Sequence, residues 1–149
     1  MKTTKPLFGV LSASENNMAA FGFDIHGVLD TYKSLALVCE ALIKDGHSVH
    51  IMTGARREVA LEHLMQAGIL TSLHYTHFYS ISDDLLQRGI PVEWRADNPK
   101  FADKDWDSAK AQYCERYSII ALFDDSPVYG TYMEAQTEFI HIGTRVVRN

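Results

Sequence analysis

Apolar residues in this chain fall into short continuous runs, and between the runs they recur at helical spacing. Buried strands alternating with amphipathic helices produce such a pattern. Residues 20–25 (AFGFDI) read as a strand ending in an acid, and 31–46 as a helix with Leu35, Val38, Leu42 and Ile43 on one face and Gly46 at its end. Residues 48–52 (SVHIM) predict a second strand. Residues 55–67 predict a second helix with Val59, Leu61, Leu64 and Met65 as its apolar face and Gly68 as its stop. A third unit carries a weaker pattern: a strand near 73–79, a short helix at 82–88, then an irregular stretch from Gly89 to Lys104 containing Pro91, Asn98 and Pro99. A helix over 106–117 leads to a strand at 119–123 (IIALF), a helix over 128–137 and a last strand at 138–142 (EFIHI). Strands separated by helices predict right-handed crossovers and a doubly wound α/β domain. Its expected form is a Rossmann-like, mostly parallel sheet of about five strands with helices on both faces.

Composition sharpens this picture at four points. With 149 residues, 46% hydrophobic and 22% charged, the chain reads as one domain over 1–149 with its core about 20–142. A formal charge of -5 argues against broad attraction to nucleic acid or anionic membrane, which leaves nucleic acid as a partner only in the role of substrate. The opening Met1-Lys-Thr-Thr-Lys-Pro-Leu lacks an apolar signal core, and no later run approaches the roughly 20 residues of a membrane span, so a cytoplasmic protein is expected. Cys39 and Cys114 both lie in apolar helical patterns, which favours buried reduced thiols over a disulfide.

In doubly wound sheets, ligands bind beyond the carboxyl ends of the strands where the strand order reverses. The polar residues at those ends are Asp24 and His26 after the first strand, Thr53 and Gly54 after the second, and Asp124 and Asp125 after the fourth. Each alone is an ordinary turn or helix-cap residue. Together they bring acids to one rim, where they repel unless a cation lies between them, and an oxygen-only cluster suits Mg²⁺.

These residues carry a resemblance to the haloacid-dehalogenase superfamily. FGFDIHGVLD (21–30) is similar to its first motif, an apolar strand followed by Asp-x-Asp-Gly-Thr/Val, with Asp24 at the nucleophile position. IMTG (51–54) resembles the second motif and places Thr53; LFDDSPVYG (122–130) resembles the acidic fourth. The third motif is a lysine near the start of the helix before the acidic strand. Lys110 takes this place if Asp107 or Ser108 caps that helix, and Lys104 if the helix starts at Trp106, with Lys110 preferred.

The resemblance implies a Mg²⁺-dependent phosphohydrolase in which Asp24 attacks phosphorus to give an aspartyl phosphate that water then hydrolyses. It implies a metal held by Asp24, the backbone carbonyl of His26, Asp124 and Asp125, and a phosphoryl group held by Thr53, Gly54 and the lysine. The expected substrate is a phosphomonoester: a nucleotide, nucleic-acid end, phosphoprotein or small metabolite. His26 stands where the family has a second Asp. It therefore either takes over proton transfer or marks an impaired protein that binds a phosphorylated ligand. A signalling receiver uses similar residues but carries its acid pair after the first strand. One helix and one strand account for the chain between Asp24 and Thr53, which predicts no large cap and an open cleft, with Trp94, Arg95, Phe101 and Trp106 at its entrance. The lid of such a cleft can come from the second subunit of a homodimer.

Overall fold

The computed structural model of the protein describes residues 17–143; the N-terminal stretch read for a signal core lies outside them. In chain order the elements are β1 (Ala20–Phe23), α1 (Lys33–Lys44), β2 (Ser48–Thr53), α2 (Arg57–Gln66), β3 (His77–Ser80) and α3 (Ile81–Gln87). There follow β4 (Glu93–Arg95), β5 (Asn98–Lys100), α4 (Asp103–Tyr117), β6 (Ile119–Asp124), a 3₁₀ turn (Pro127–Tyr132) and β7 (Glu138–His141). Five parallel strands form one sheet in the order β3-β2-β1-β6-β7. The order reverses between β1 and β6, so the ends of these two strands flank the natural ligand crevice.

Alternation along the strands builds two apolar layers. On one face Cys39 of α1 and Ala60 and Leu64 of α2 pack with Phe23, Val49 and Ile51. On the other, Leu85 of α3 and Ala109, Tyr113 and Cys114 of α4 pack with Met52, Ile119 and Leu122. The architecture is therefore α/β and doubly wound, as the periodicity predicts. Both cysteines are free and buried. Among the described residues, no helix is long and apolar enough to cross a membrane.

Several elements differ from the sequence reading. The third strand starts at His77 rather than 73, because 70–74 closes on itself: the Leu70 N–H donates to His74 Nδ1 (2.9 Å), and the His74 N–H donates to the Leu70 carbonyl (2.8 Å). On α2 the sheet-facing residues are Ala60 and Leu64, while Val59 and Met65 are exposed; a small Ala60 lets the helix approach, a signal that apolar spacing underweights. On α1 Cys39 is buried and Val38 exposed. The stretch read as irregular contains a two-stranded antiparallel hairpin, β4–β5, turning through Ala96 at a left-handed φ of 55°. The helix expected over 128–137 is only a 3₁₀ turn at Pro127–Tyr132, followed by a tight turn in which the Thr137 N–H donates to the Glu134 carbonyl (3.0 Å).

His50 sits inside the second layer, its ring stacked on His77 (4.2 Å between centroids) and its Nδ1 2.6 Å from the Tyr113 hydroxyl. Burial, reinforced by His77, pushes its pKa down to about 4. The folded protein thus holds His50 neutral while the unfolded chain protonates it near pH 6.5, so stability is lost as pH falls from 6.5 towards 4. The expected loss from this group approaches ~3 kcal/mol at pH 4. Urea unfolding of wild type and His50→Gln between pH 7 and 4.5 checks this: the variant's midpoint should depend less on pH, and parallel curves would show that His50 is not the responsible group.

Candidate active site

Asp24 follows β1 directly, and its backbone N–H donates to the Phe123 carbonyl (3.0 Å), which ties the end of β1 to the end of β6. Asp124 is the last residue of β6 and wholly buried. Lys110 reaches between the two from α4: its Nζ lies 2.6 Å from Asp124 Oδ2 and 3.4 Å from Asp24 Oδ1, with 1% of the residue exposed. The other oxygen of Asp124 accepts the Ser126 N–H (3.0 Å), and the ammonium also lies over the Tyr129 ring (4.3 Å). Burial opposes the lysine's charge, but Asp24 and Asp124 outweigh it and hold the ammonium above the ordinary lysine range. Burial pushes the Asp24 carboxyl up to about 6, with Lys110 opposing and Asp124 and Asp125 adding to the rise.

Helix geometry places the two candidate lysines differently. α4 begins at Asp103, earlier than expected, yet its first-turn Lys104 is exposed and points away. Six residues along a helix rotate a side chain by roughly 240°. Lys110 therefore falls with Ala109 and Tyr113 on the sheet-facing side while Lys104 does not.

Asp125 completes an acidic cluster: one carboxylate oxygen from each of Asp24, Asp124 and Asp125 lies within 4.8 Å of the others. Three carboxylates against one ammonium leave two negative charges, and the donors are all hard oxygens. A divalent cation of the Mg²⁺ kind fits that set in both charge and ligand type. The close approach of Asp125 depends on Gly27, whose φ is +75° and where a Cβ would overlap the Asp125 carboxylate. Gly27→Ala should displace Asp125 and add left-handed strain of about 1–2 kcal/mol. It should weaken divalent-cation binding about tenfold, read by calorimetric titration; an unchanged affinity would show that Asp125 is not a ligand.

Thr53 ends β2, buried at the cavity floor, with its Oγ1 accepting the Ala55 N–H (3.3 Å). The loop after it is pinned from β3 and α3: the Ser82 hydroxyl donates to the Gly54 carbonyl and the Ser80 hydroxyl to the Ala55 carbonyl, each at 2.6 Å. Gly54 has no room for a side chain, since a Cβ would come within 2.6 Å of Trp106. Asp24, Thr53, Gly54, Lys110 and Asp125 line one cavity of about 640 Å³.

His26 also borders this cavity, but its carboxylate partner is Asp30 and not the acidic cluster. Its Nδ1 lies 2.9 Å from Asp30 Oδ2, while the other Asp30 oxygen accepts the Gly27 N–H (2.9 Å) and the Thr31 hydroxyl (2.8 Å). Partial burial of Asp30 acts against its charge, but the hydrogen bonds from His26, Thr31 and Gly27 hold its carboxyl below the usual range. His63 packs edge-on against the His26 ring (4.5 Å). Asp30 and Tyr129 lie inside the first and fourth motif stretches and His63 outside them, and the sequence gives none of the three a role; the i,i+4 spacing of His26 and Asp30 is the one cue, and it needs the helical turn of this loop to be known. Of the expected entrance residues, Trp106 lines the cavity, whereas Trp94 meets it only through Arg56, whose guanidinium lies 5.9 Å above the Trp94 ring. Arg95 pairs with Glu93 (3.4 Å), and Phe101 is buried behind Trp106.

Comparison of the chain with protein-family models, curated proteins and solved structures found no match. Fold and site together define a Rossmann-like α/β domain with a buried lysine–carboxylate centre where its sheet order reverses.

Proposed function

We propose that the protein is a Mg²⁺-dependent phosphohydrolase of the haloacid-dehalogenase type, acting on a phosphomonoester through an aspartyl phosphate at Asp24. The observation that supports this reading is the buried Asp24–Lys110–Asp124 arrangement with Asp125 alongside. A carboxylate held next to a fixed ammonium and lining a cavity is a poised anionic nucleophile beside a fixed positive charge.

In the proposed reaction Asp24 attacks phosphorus as the ester P–O bond breaks, and His26 protonates the departing oxygen. Water then attacks phosphorus, giving its proton to His26, and Asp24 is released with inorganic phosphate. With Nδ1 taken by Asp30, Nε2 is the nitrogen available for both transfers. Thr53 and the Gly54 backbone hold phosphoryl oxygens while Lys110 offsets their charge. A divalent cation held by Asp24, Asp124, Asp125 and the His26 carbonyl supplies the charge neutralisation that lets an anionic nucleophile approach an anionic ester.

Hydrolysis of an aryl and an alkyl phosphate, with Mg²⁺ and with chelator, tests the reading. Both should require the metal. His26→Ala should lose roughly tenfold to a hundredfold on the alkyl ester, whose leaving group needs the proton, and under about threefold on the aryl ester. Turnover indifferent to chelator would count against the metal, and equal losses on both esters against His26 as proton carrier.

A further inference from the structure

The cavity outside the acidic centre carries its own information about the leaving group, resting on the phosphohydrolase reading above. It runs outward between the start of α2 and the β4–β5 turn, with Glu58 from the helix and Asp97 and Asn98 from the hairpin at its mouth. Its volume of about 640 Å³ suits a small molecule. Among the described residues, Arg56 is the cation lining this mouth; its Nε lies 3.4 Å from Glu58 and 3.9 Å from Asp83 and is hydrogen-bonded to neither. Lys110 is committed to Asp24 and Asp124.

Arg56 stands against three carboxylates there, Glu58, Asp83 and Asp97, so a second phosphate on the substrate would enter a mouth of net negative charge. A neutral leaving group meets no such repulsion. Carboxylates and the Asn98 amide are instead acceptors for hydroxyl donors. The Trp106 indole lines the same cavity and is fixed in three ways: Phe101 stacks behind it (6.2 Å, planes 19° apart), its edge lies against Gly54, and its Nε1–H donates to the Tyr129 hydroxyl (2.9 Å). A rigid aromatic wall with acceptors around it matches a ring that is apolar on its C–H face and polar at its rim.

We propose that the substrate is the phosphomonoester of a small, neutral, hydroxyl-rich alcohol, a sugar or polyol phosphate, recognised by Asp97, Glu58, Asn98 and Trp106. Nucleotide chains and bisphosphates are rejected by the same acids.

The test measures binding, so that it does not depend on turnover. Asp24→Asn carrying Trp94→Phe leaves Trp106 as the sole tryptophan, and its fluorescence with Mg²⁺ is titrated with glucose 6-phosphate, glucose 1,6-bisphosphate and hexyl phosphate. Glucose 6-phosphate should bind about tenfold more tightly than either of the others, the scale of one hydrogen bond to a charged group. Adding Asp97→Ala should shrink both preferences to about threefold or less. Equal or tighter binding of the bisphosphate or of hexyl phosphate overturns the proposal, whether or not wild type hydrolyses phosphate esters. Preference for glucose 6-phosphate together with a wild type that fails to hydrolyse an aryl phosphate would uphold the recognition and reject the hydrolase.

Discussion

Asp24→Asn should lower Mg²⁺-dependent turnover of an aryl phosphate by at least about 10⁴, because it removes the attacking oxygen while keeping the shape of the side chain. The fold should survive the change. Burial and the neighbouring Asp124 and Asp125 carboxylates already disfavour a charge at Asp24, which offsets the loss of its 3.4 Å contact with Lys110. Thermal unfolding of the variant should therefore remain cooperative with a midpoint close to wild type. Residual turnover above about one per cent of wild type would reject Asp24 as the nucleophile.

Lys110→Met should have the second large effect, on stability as well as on rate. Met fits the volume of the lysine stem but leaves the wholly buried Asp124 and the nearly buried Asp24 without their ammonium. Breaking a buried pair by removing one partner typically costs about 3–5 kcal/mol, because the remaining charge is stranded. Urea unfolding in chelator should show a loss of that size, and Mg²⁺ should restore part of it, since a dication at the three carboxylates takes over their compensation. Turnover should fall by about 10²–10³. A stability loss below about 1 kcal/mol would mean that the ion pair is not the structural keystone of the site.

The parts of this fold legible in the sequence are those where burial and chemistry coincide on one short run. AFGF, SVHIMT and IIALFD are largely apolar because most of their residues are covered by the helical layers, and each ends in a polar residue or is followed directly by one, Asp24, where the crevice begins. Asp24, Thr53, Asp124 and Asp125 could thus be placed at one rim before any coordinates. Lys110 needed the structure, since Lys104 lies nearer the start of α4 and only the helix phase shows which lysine faces the sheet. The β4–β5 hairpin was hidden because its three-residue strands, one holding Pro99, show neither alternation nor an apolar run. The apolar face of α2 is only half legible for the opposite reason: Leu61 and Leu64 pack as expected, but Val59 and Met65, core by type, are exposed, while Ala60, a small residue, shares the contact. The His26–Asp30 pair escaped because hydrogen bonding inside a loop leaves no hydrophobic period to read.

The hairpin also alters the picture of an open, capless cleft. Two strands are too few to form a separate cap, but their turn brings Asp97, Asn98 and Pro99 to the cavity wall, and the Arg56–Trp94 contact fastens them to the start of α2. Leaving-group selection can then arise within one chain.

The central claim, a covalent phosphoryl group on Asp24, is tested most directly by trapping. Wild-type protein mixed with aryl phosphate and Mg²⁺, quenched in acid and treated with borohydride, should contain homoserine in place of aspartate at position 24, since reduction of an aspartyl phosphate yields that residue. The same treatment of the protein without substrate should leave Asp24 unchanged. Metal-dependent turnover with no homoserine at position 24, or with homoserine at another aspartate, would contradict the account.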